Sequence, residues 1–191
     1  MATKKRKIII GLTGPIAGGK GIVADFLKEK NFFYSSTSDR IREELKKRKK
    51  EITRENLQIV ADDLRKKFGP KVLAKRTWDK VIKQKNNFCV IDSIRGEAEV
   101  DFLKTKPNFY LIGITAPRKL RFQRVKERNR EKDPITYKSF LETDKADFKS
   151  GQGKFGRNIK KCLKKADLLL KNTGTLRELE KKINNYLKNI K

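Results

Sequence analysis

Apolar residues along this chain keep two rhythms. Short, nearly continuous apolar runs alternate with longer stretches in which apolar positions recur every three or four residues. The first rhythm predicts strands buried on both faces, and the second predicts amphipathic helices. Lys7–Thr13 reads as the first strand and runs into a glycine-rich turn at Gly14–Gly19. A helix over 20–30 follows, with Ile22, Val23, Phe26 and Leu27 on one side. Phe32–Ser35 is a short second strand, and Ser38 or Asp39 can cap the helix after it, which runs to about Lys50. Thr53 opens another helix carrying Leu57, Val60, Leu64 and Phe68 at helical spacing, ended by Gly69-Pro70. Val72–Lys83 is helical, Phe88–Ile91 is a third buried strand ending in Asp92, and Glu97–Lys104 is a short helix. Phe109–Ile114 is the fourth strand, residues 117–131 form a very basic helix, and 135–149 form a further one. Gly151-Gln152-Gly153 breaks the chain before a helix near Asn158–Lys165. Leu168–Leu170 is the fifth strand, and Thr175 caps a last helix bearing Leu176, Leu179, Ile183, Tyr186, Leu187 and Ile190.

Strands alternating with helices imply right-handed crossovers. The expected fold is therefore a three-layer α/β/α arrangement, a five-stranded parallel sheet with helices on both faces. Ligands of such sheets bind at the carboxyl ends of strands, and every polar motif below falls at such an end. The length of 191 residues favours one domain over 1–191, with 117–160 as a lid and helical insertion inside it.

Composition narrows the chemistry. No apolar run approaches the roughly 18–20 residues of a membrane span. The basic start, Met1–Lys7, reaches glycine through Ile8-Ile9-Ile10 too soon for a signal peptide, so a cytoplasmic setting is expected. Cys89 and Cys162 both sit in apolar surroundings, which suits reduced, buried thiols, and no metal-binding spacing exists. Histidine is absent, which excludes an imidazole base or ligand. Lys and Arg number 50 against 23 Asp and Glu, a net charge of +27. Such a field attracts polyanions. Nucleic acid stays open as a partner beside a merely solvated surface around a phosphate site.

Gly14-Pro15-Ile16-Ala17-Gly18-Gly19-Lys20 follows a strand, opens a helix and fits G-x-x-x-x-G-K, the phosphate-binding loop. Glycine lets backbone N–H groups converge on a phosphate, and the helix N-terminus adds partial positive charge. The nucleotide contacts expected here are Gly14, Ala17, Gly18, Gly19, Lys20, Gly21 and Ile22, with Lys20 reaching the β- and γ-phosphates. The Ser or Thr that usually follows the lysine is replaced by Gly21 and then Ile22, so the hydroxyl that normally touches magnesium is missing. Asp92, acting through water, and the nucleotide itself are then the expected metal holders.

Ser36-Thr37-Ser38-Asp39-Arg40-Ile41-Arg42, taken with the loop, resembles the S-T-G-D-x-h-R stretch of adenylate kinase and other nucleoside monophosphate kinases. Those kinases also carry glycine directly after the loop lysine, but usually place threonine where this chain has Ile22. The resemblance implies that Thr37 and Arg42 bind the acceptor, a role that suits the bidentate fork of arginine. Phe88-Cys89-Val90-Ile91-Asp92 reads as a Walker-B strand, with Asp92 orienting the magnesium shell. Asp92-Ser93-Ile94-Arg95 resembles the D-G-F-P-R segment of the same kinases with one residue fewer, which implies Arg95 as a second arginine on the acceptor phosphate. Arg124 and Arg128, four residues apart on one helix face, are similar to lid arginines that stabilise charge on the transferring phosphoryl group. Ala166–Leu176 resembles the late strand and turn of dephospho-coenzyme A kinases. That likeness implies Asn172 as a contact to the adenine and Asp39 as the base toward an acceptor hydroxyl.

Three functions stay open. The first is a nucleoside or deoxynucleoside monophosphate kinase using ATP and Mg2+, a monomer or dimer acting on a small nucleotide-like acceptor. The second is a dephospho-coenzyme A kinase. The third is a nucleic-acid-associated P-loop NTPase or binding module, drawn from the basic runs at 46–50, 118–130 and 160–165. It ranks third because those runs lack the alternation of basic and aromatic residues that stacks bases.

Overall fold

The computed structural model describes residues 6–128, 136–148 and 156–190. The expected break at Gly151–Gly153 and the end of the basic helix beyond Arg128 lie outside them, as does part of the expected lid. Five strands, β1 (Ile8–Thr13), β2 (Phe33–Ser36), β3 (Phe88–Ile94), β4 (Phe109–Thr115) and β5 (Leu168–Lys171), pair in parallel in the order β2-β3-β1-β4-β5. The helices are α1 (Lys20–Glu29), α2 (Thr37–Lys47), α3 (Arg54–Phe68), α4 (Val72–Ile82), α5 (Glu97–Lys104), α6 (Arg118–Arg128), α7 (Tyr137–Phe148), α8 (Ile159–Lys164) and α9 (Leu176–Ile190).

Alternation along β1 decides the layers, because successive side chains of a strand face opposite sides. Ile8, Ile10 and Leu12 pack with Val23 and Leu27 of α1 and with Leu179, Ile183 and Leu187 of α9. Ile9 faces the other way, toward Ala74, Trp78 and Val81 of α4, Val100 and Leu103 of α5, and Cys162 of α8. A third apolar cluster joins α2, α3 and α4 through Ile41, Leu45, Val60, Leu64 and Leu73. Both cysteines are buried and free, and burial pushes their thiols up, that of Cys162 to about 12. Among the described residues no helix is long and apolar enough to cross a membrane.

At two of the boundaries that differ from the sequence expectation, a local interaction gives the reason. The cap of α2 is neither Ser38 nor Asp39 but Ser36. Its hydroxyl accepts from the Asp39 N–H while the Asp39 carboxylate accepts from the Ser36 N–H, both at 3.0 Å, a reciprocal capping box. β3 does not end at Asp92 but runs on to Ile94, across a Ser93 with φ +65° and a register shift against β1. Thr13 Oγ1 donates to Ile94 O at 2.8 Å and fastens this bulged end. From β1 the chain winds one way to β2 and β3 and the other way to β4 and β5. The loop after β1 therefore sits where the winding reverses, the place where such sheets bind ligands.

Candidate active site

The loop between β1 and α1 packs directly on its neighbours because Gly14 and Gly19 adopt φ +147° and +112°. A Cβ would drive Gly14 into the Ile114 carbonyl and Gly19 into the Asn172 amide. Gly19 then caps α1 with no side-chain acceptor for the first-turn N–H groups. Those donors have no partner within the helix, and with the helix dipole they form an anion site. Half-buried Lys20 folds onto the loop, its Nζ donating to Gly14 O at 2.6 Å and to Pro15 O at 3.0 Å. Burial first, then the nearby Arg95, lowers its pKa to about 8, with Arg128 adding to the effect and Asp92 and Asp147 opposing it. Lys20, at the start of α1, thus feels the charges of Asp92 in β3, of Arg95 just after it and of Arg128 at the end of α6.

Asp92 is buried in β3 and fixed at both oxygens. Tyr34 Oη donates to Oδ2 at 2.9 Å, and the Ser93 N–H donates to Oδ1. Burial and then the Asp92 charge push the Tyr34 phenol well above its ordinary range, so it stays a donor. Among the described residues no group of three or more acidic or thiol side chains could hold a metal ion. Asp92, through water and together with nucleotide oxygens, is the residue that could hold a magnesium ion here. Gly21 has open space where a side chain would stand, and Ile22 is exposed.

Arg124 Nη2 donates to Asn172 O at 3.0 Å, while its Nη1 is buried without a hydrogen-bond partner. An orphaned cationic donor beside a glycine cradle fits a phosphate oxygen. Asn172, the residue expected at the adenine, packs behind the loop. It is buried, and its amide donates to Gly18 O at 3.2 Å, bracing the loop from behind.

Thr37, Arg42 and Arg95, the three expected acceptor contacts, line one cavity of about 710 Å3. The Thr37 hydroxyl donates to Ser93 O at 2.7 Å, locking the start of α2 to the bulged end of β3. Asp39 is held by its capping box and accepts from Arg42 Nη1 at 3.1 Å, so both its oxygens are engaged.

With that geometry in view, similarity to known proteins becomes informative. A sequence profile described as an AAA domain matches residues 10–147. The UPF0200 protein of Pyrococcus horikoshii is 33% identical over 188 residues, covering 96% of this chain and 97% of the relative. The chain belongs to the UPF0200 family. A UPF0200/UPF0201 protein of Archaeoglobus fulgidus is also 33% identical, but this chain spans only 54% of its length. Among solved structures, TT1252 from Thermus thermophilus superposes with a TM-score of 0.64 at 20% identity, covering 98% of this chain and all of that one. Shikimate kinase from Acinetobacter baumannii in complex with shikimate superposes at 0.59 with 16% identity, covering 98% and 96%. These likenesses establish the P-loop kinase fold for this UPF0200 chain.

Several residues of the UPF0200 site carry no motif. Arg65 of α3 and Arg157 before α8 line the same cavity as Arg42 and Arg95. Arg65 is 5% exposed, makes only long contacts to Asp62 (3.4 Å) and Glu99 (3.5 Å), and its Nε lacks a partner. Buried Asp147 of α7 accepts from Arg95 Nη1 and Arg157 Nη1, each at 2.7 Å. One turn earlier, buried Asp144 grips Arg121 through two bonds, 2.6 and 2.9 Å, and Arg121 reaches Ile16 O in the loop at 3.2 Å. The one available signal was the helical spacing of Gln58, Ala61 and Arg65 on α3; Arg157 and Asp147 offered none.

Proposed function

We propose that this protein is an ATP-dependent phosphotransferase of the cytoplasm that acts on a small, phosphate-bearing, nucleotide-like acceptor, with a nucleoside or deoxynucleoside monophosphate as first choice. The observation that carries this reading is the arginine-lined cavity tied to the phosphate loop through α7, whose Asp147 holds Arg95 and Arg157 on the cavity wall and whose Asp144 holds Arg121 against Ile16 O. ATP with magnesium supplies the phosphoryl group and part of the charge neutralisation. The chain's own residues do the rest. The loop N–H groups and Lys20 orient the donor phosphates, Arg124 and Arg128 compensate charge on the side of α6, and Arg42 and Arg95 hold the acceptor. Phosphoryl transfer asks for little beyond such positioning and charge compensation. Leu57, Ile41 and Ala61 give the cavity an apolar wall for the non-ionic part of the acceptor.

A hydroxyl acceptor, as in dephospho-coenzyme A kinase, would ask Asp39 to act as a base. With both its oxygens taken by the Ser36 N–H and Arg42, a phosphate acceptor has the better support. The test is ADP release from ATP and magnesium across nucleoside and deoxynucleoside monophosphates and dephospho-coenzyme A, with Lys20→Ala as the blank. One monophosphate should raise turnover at least tenfold over the blank. ATP binding with no acceptor stimulation would overturn the reading.

A further inference from the structure

The kinase reading leaves the net charge of +27 unused. The basic runs of the sequence lack aromatic alternation, yet the fold places rings among cations drawn from separate segments. From its N-cap Lys71, α4 carries Lys75, Trp78 and Ile82 on one stripe, four, seven and eleven residues on. Across from it stands Phe102 of α5, with Lys106 Nζ 4.4 Å and Lys71 Nζ 5.7 Å from the ring centre; Lys106 Nζ also lies 5.9 Å from that of Trp78. At the end of α3, Phe68 is 52% exposed, with Lys67 Nζ 5.4 Å and the Arg76 guanidinium 5.0 Å from its centre. A groove of about 590 Å3 beside Phe102 is lined by Lys71, Thr105, Asn158, Lys161, Glu97 and Asp101, and shares no lining residue with the acceptor cavity. Lys66, Lys67, Lys71, Lys75 and Lys106 make no ion pair among the described residues, whereas Lys161 and Lys165 neutralise Glu97 and Asp101.

We propose that this α3–α4–α5 face binds single-stranded RNA. Free cations beside the exposed ring of Phe68 and the partly exposed ring of Phe102 suit a strand whose phosphates meet lysines while its unpaired bases stack, with buried Trp78 backing the stripe from the core. A duplex hides the faces of its bases and would leave the rings unused. Ribose favours RNA, since its 2′-hydroxyl can donate to Asp101 Oδ2, the oxygen that Lys165 leaves open, where deoxyribose cannot. The cations of α9 form no comparable site. Lys181 and Lys182 lie among Glu178 and Glu180 on a helix with no ring under a cation among the described residues.

The experiment is fluorescence anisotropy of the full chain with a labelled oligouridylate of about 12 nucleotides, a length within the footprints of such sites. No nucleotide donor or acceptor is added, so the outcome is independent of the kinase reading. If the five free lysines each neutralise one phosphate, log K falls with log salt at a slope of about −3.5. Lys71→Glu with Lys75→Glu should weaken binding at least tenfold and flatten that slope. Lys181→Glu with Lys182→Glu, the same change in net charge, should leave affinity within twofold. Exposed Phe68→Ala should cost about fivefold with the slope unchanged. Equal losses from the two charge pairs would reduce the effect to net charge and overturn the proposal. So would no binding, tighter binding of a duplex, equal binding of the deoxy strand, or an unaffected Phe68→Ala.

Discussion

In the proposed role, Lys20 would carry both the binding of the donor phosphates and its pH dependence. Its amine is held near a pKa of about 8 by burial and by Arg95, below the ordinary 10.5. Between those values the unfolded chain binds more protons than the folded one, so without ligand stability rises with pH across that window. A triphosphate beside Nζ restores an opposite charge and raises the pKa again. ATP binding at about pH 9 should therefore take up close to one proton, and at about pH 7 almost none. Calorimetry in buffers of differing ionisation enthalpy reads this directly, and Lys20→Ala should abolish the uptake. Two neighbouring glycines behave oppositely. Gly19→Ala puts a Cβ against the Asn172 amide at a left-handed φ, and should remove ATP binding. Gly21 has open space, so Gly21→Ser should leave the fold intact or stabilise it by roughly 0.5 kcal/mol through helix propensity. It should also raise magnesium-dependent turnover several-fold by returning the missing hydroxyl. Unchanged magnesium dependence would mean that Asp92 and water already complete the metal shell.

Helix α7 links the two halves of the site through two acids one turn apart. Asp144 holds Arg121, which reaches the phosphate loop, and Asp147 holds Arg95 and Arg157 on the acceptor cavity. Asp144→Ala would leave the Arg121 guanidinium buried and unpaired, a loss of about 3–5 kcal/mol. For a chain of this size a scanning calorimeter should then show a melting point lower by roughly 10 °C. Asp147→Asn keeps the shape but removes the charge that orients two partly accessible arginines. Its expected signature is a KM for the acceptor raised about tenfold with the KM for ATP little changed, a split that a purely structural role would not produce. None of this was legible in the sequence. The phosphate loop is legible because its requirements, glycines and a lysine between a strand and a helix, fall in one unbroken run. The α2 cap was nearly so: Ser36-Thr37-Ser38-Asp39 carries the capping-box spacing, and only the start of the helix had to move by two residues. Asp144, Asp147 and Arg157 sit among many charges, and in a chain with 38% charged residues a buried ion pair looks like a solvated face until tertiary contacts select it.

Over the whole molecule, the balance of 50 cations against 23 anions makes self-repulsion a term in stability. The carboxylates oppose it locally. Glu44 has its pKa lowered chiefly by a hydrogen bond from Arg48, and Glu97 by hydrogen bonds from Lys161 and Lys165. A depressed carboxylate pKa contributes stability that is present above the unfolded value, near 4.5, and is lost as pH falls through the folded value. Acid thus removes these pairs and the compensating negative charge at the same time, driving the net charge from +27 toward +50. Salt screens the repulsion, with a Debye length shrinking from about 30 Å at 0.01 M to about 8 Å at 0.15 M. It screens exposed ion pairs too, but those contribute at most about 1 kcal/mol each, and cations outnumber anions about two to one, so the repulsive sum dominates. Near neutral pH, adding salt should therefore raise the melting temperature. In acid titrations followed by circular dichroism, the unfolding midpoint should move to lower pH as salt increases. A midpoint that moved upward would mean that the pairs on Glu44 and Glu97 outweigh the field of the whole surface.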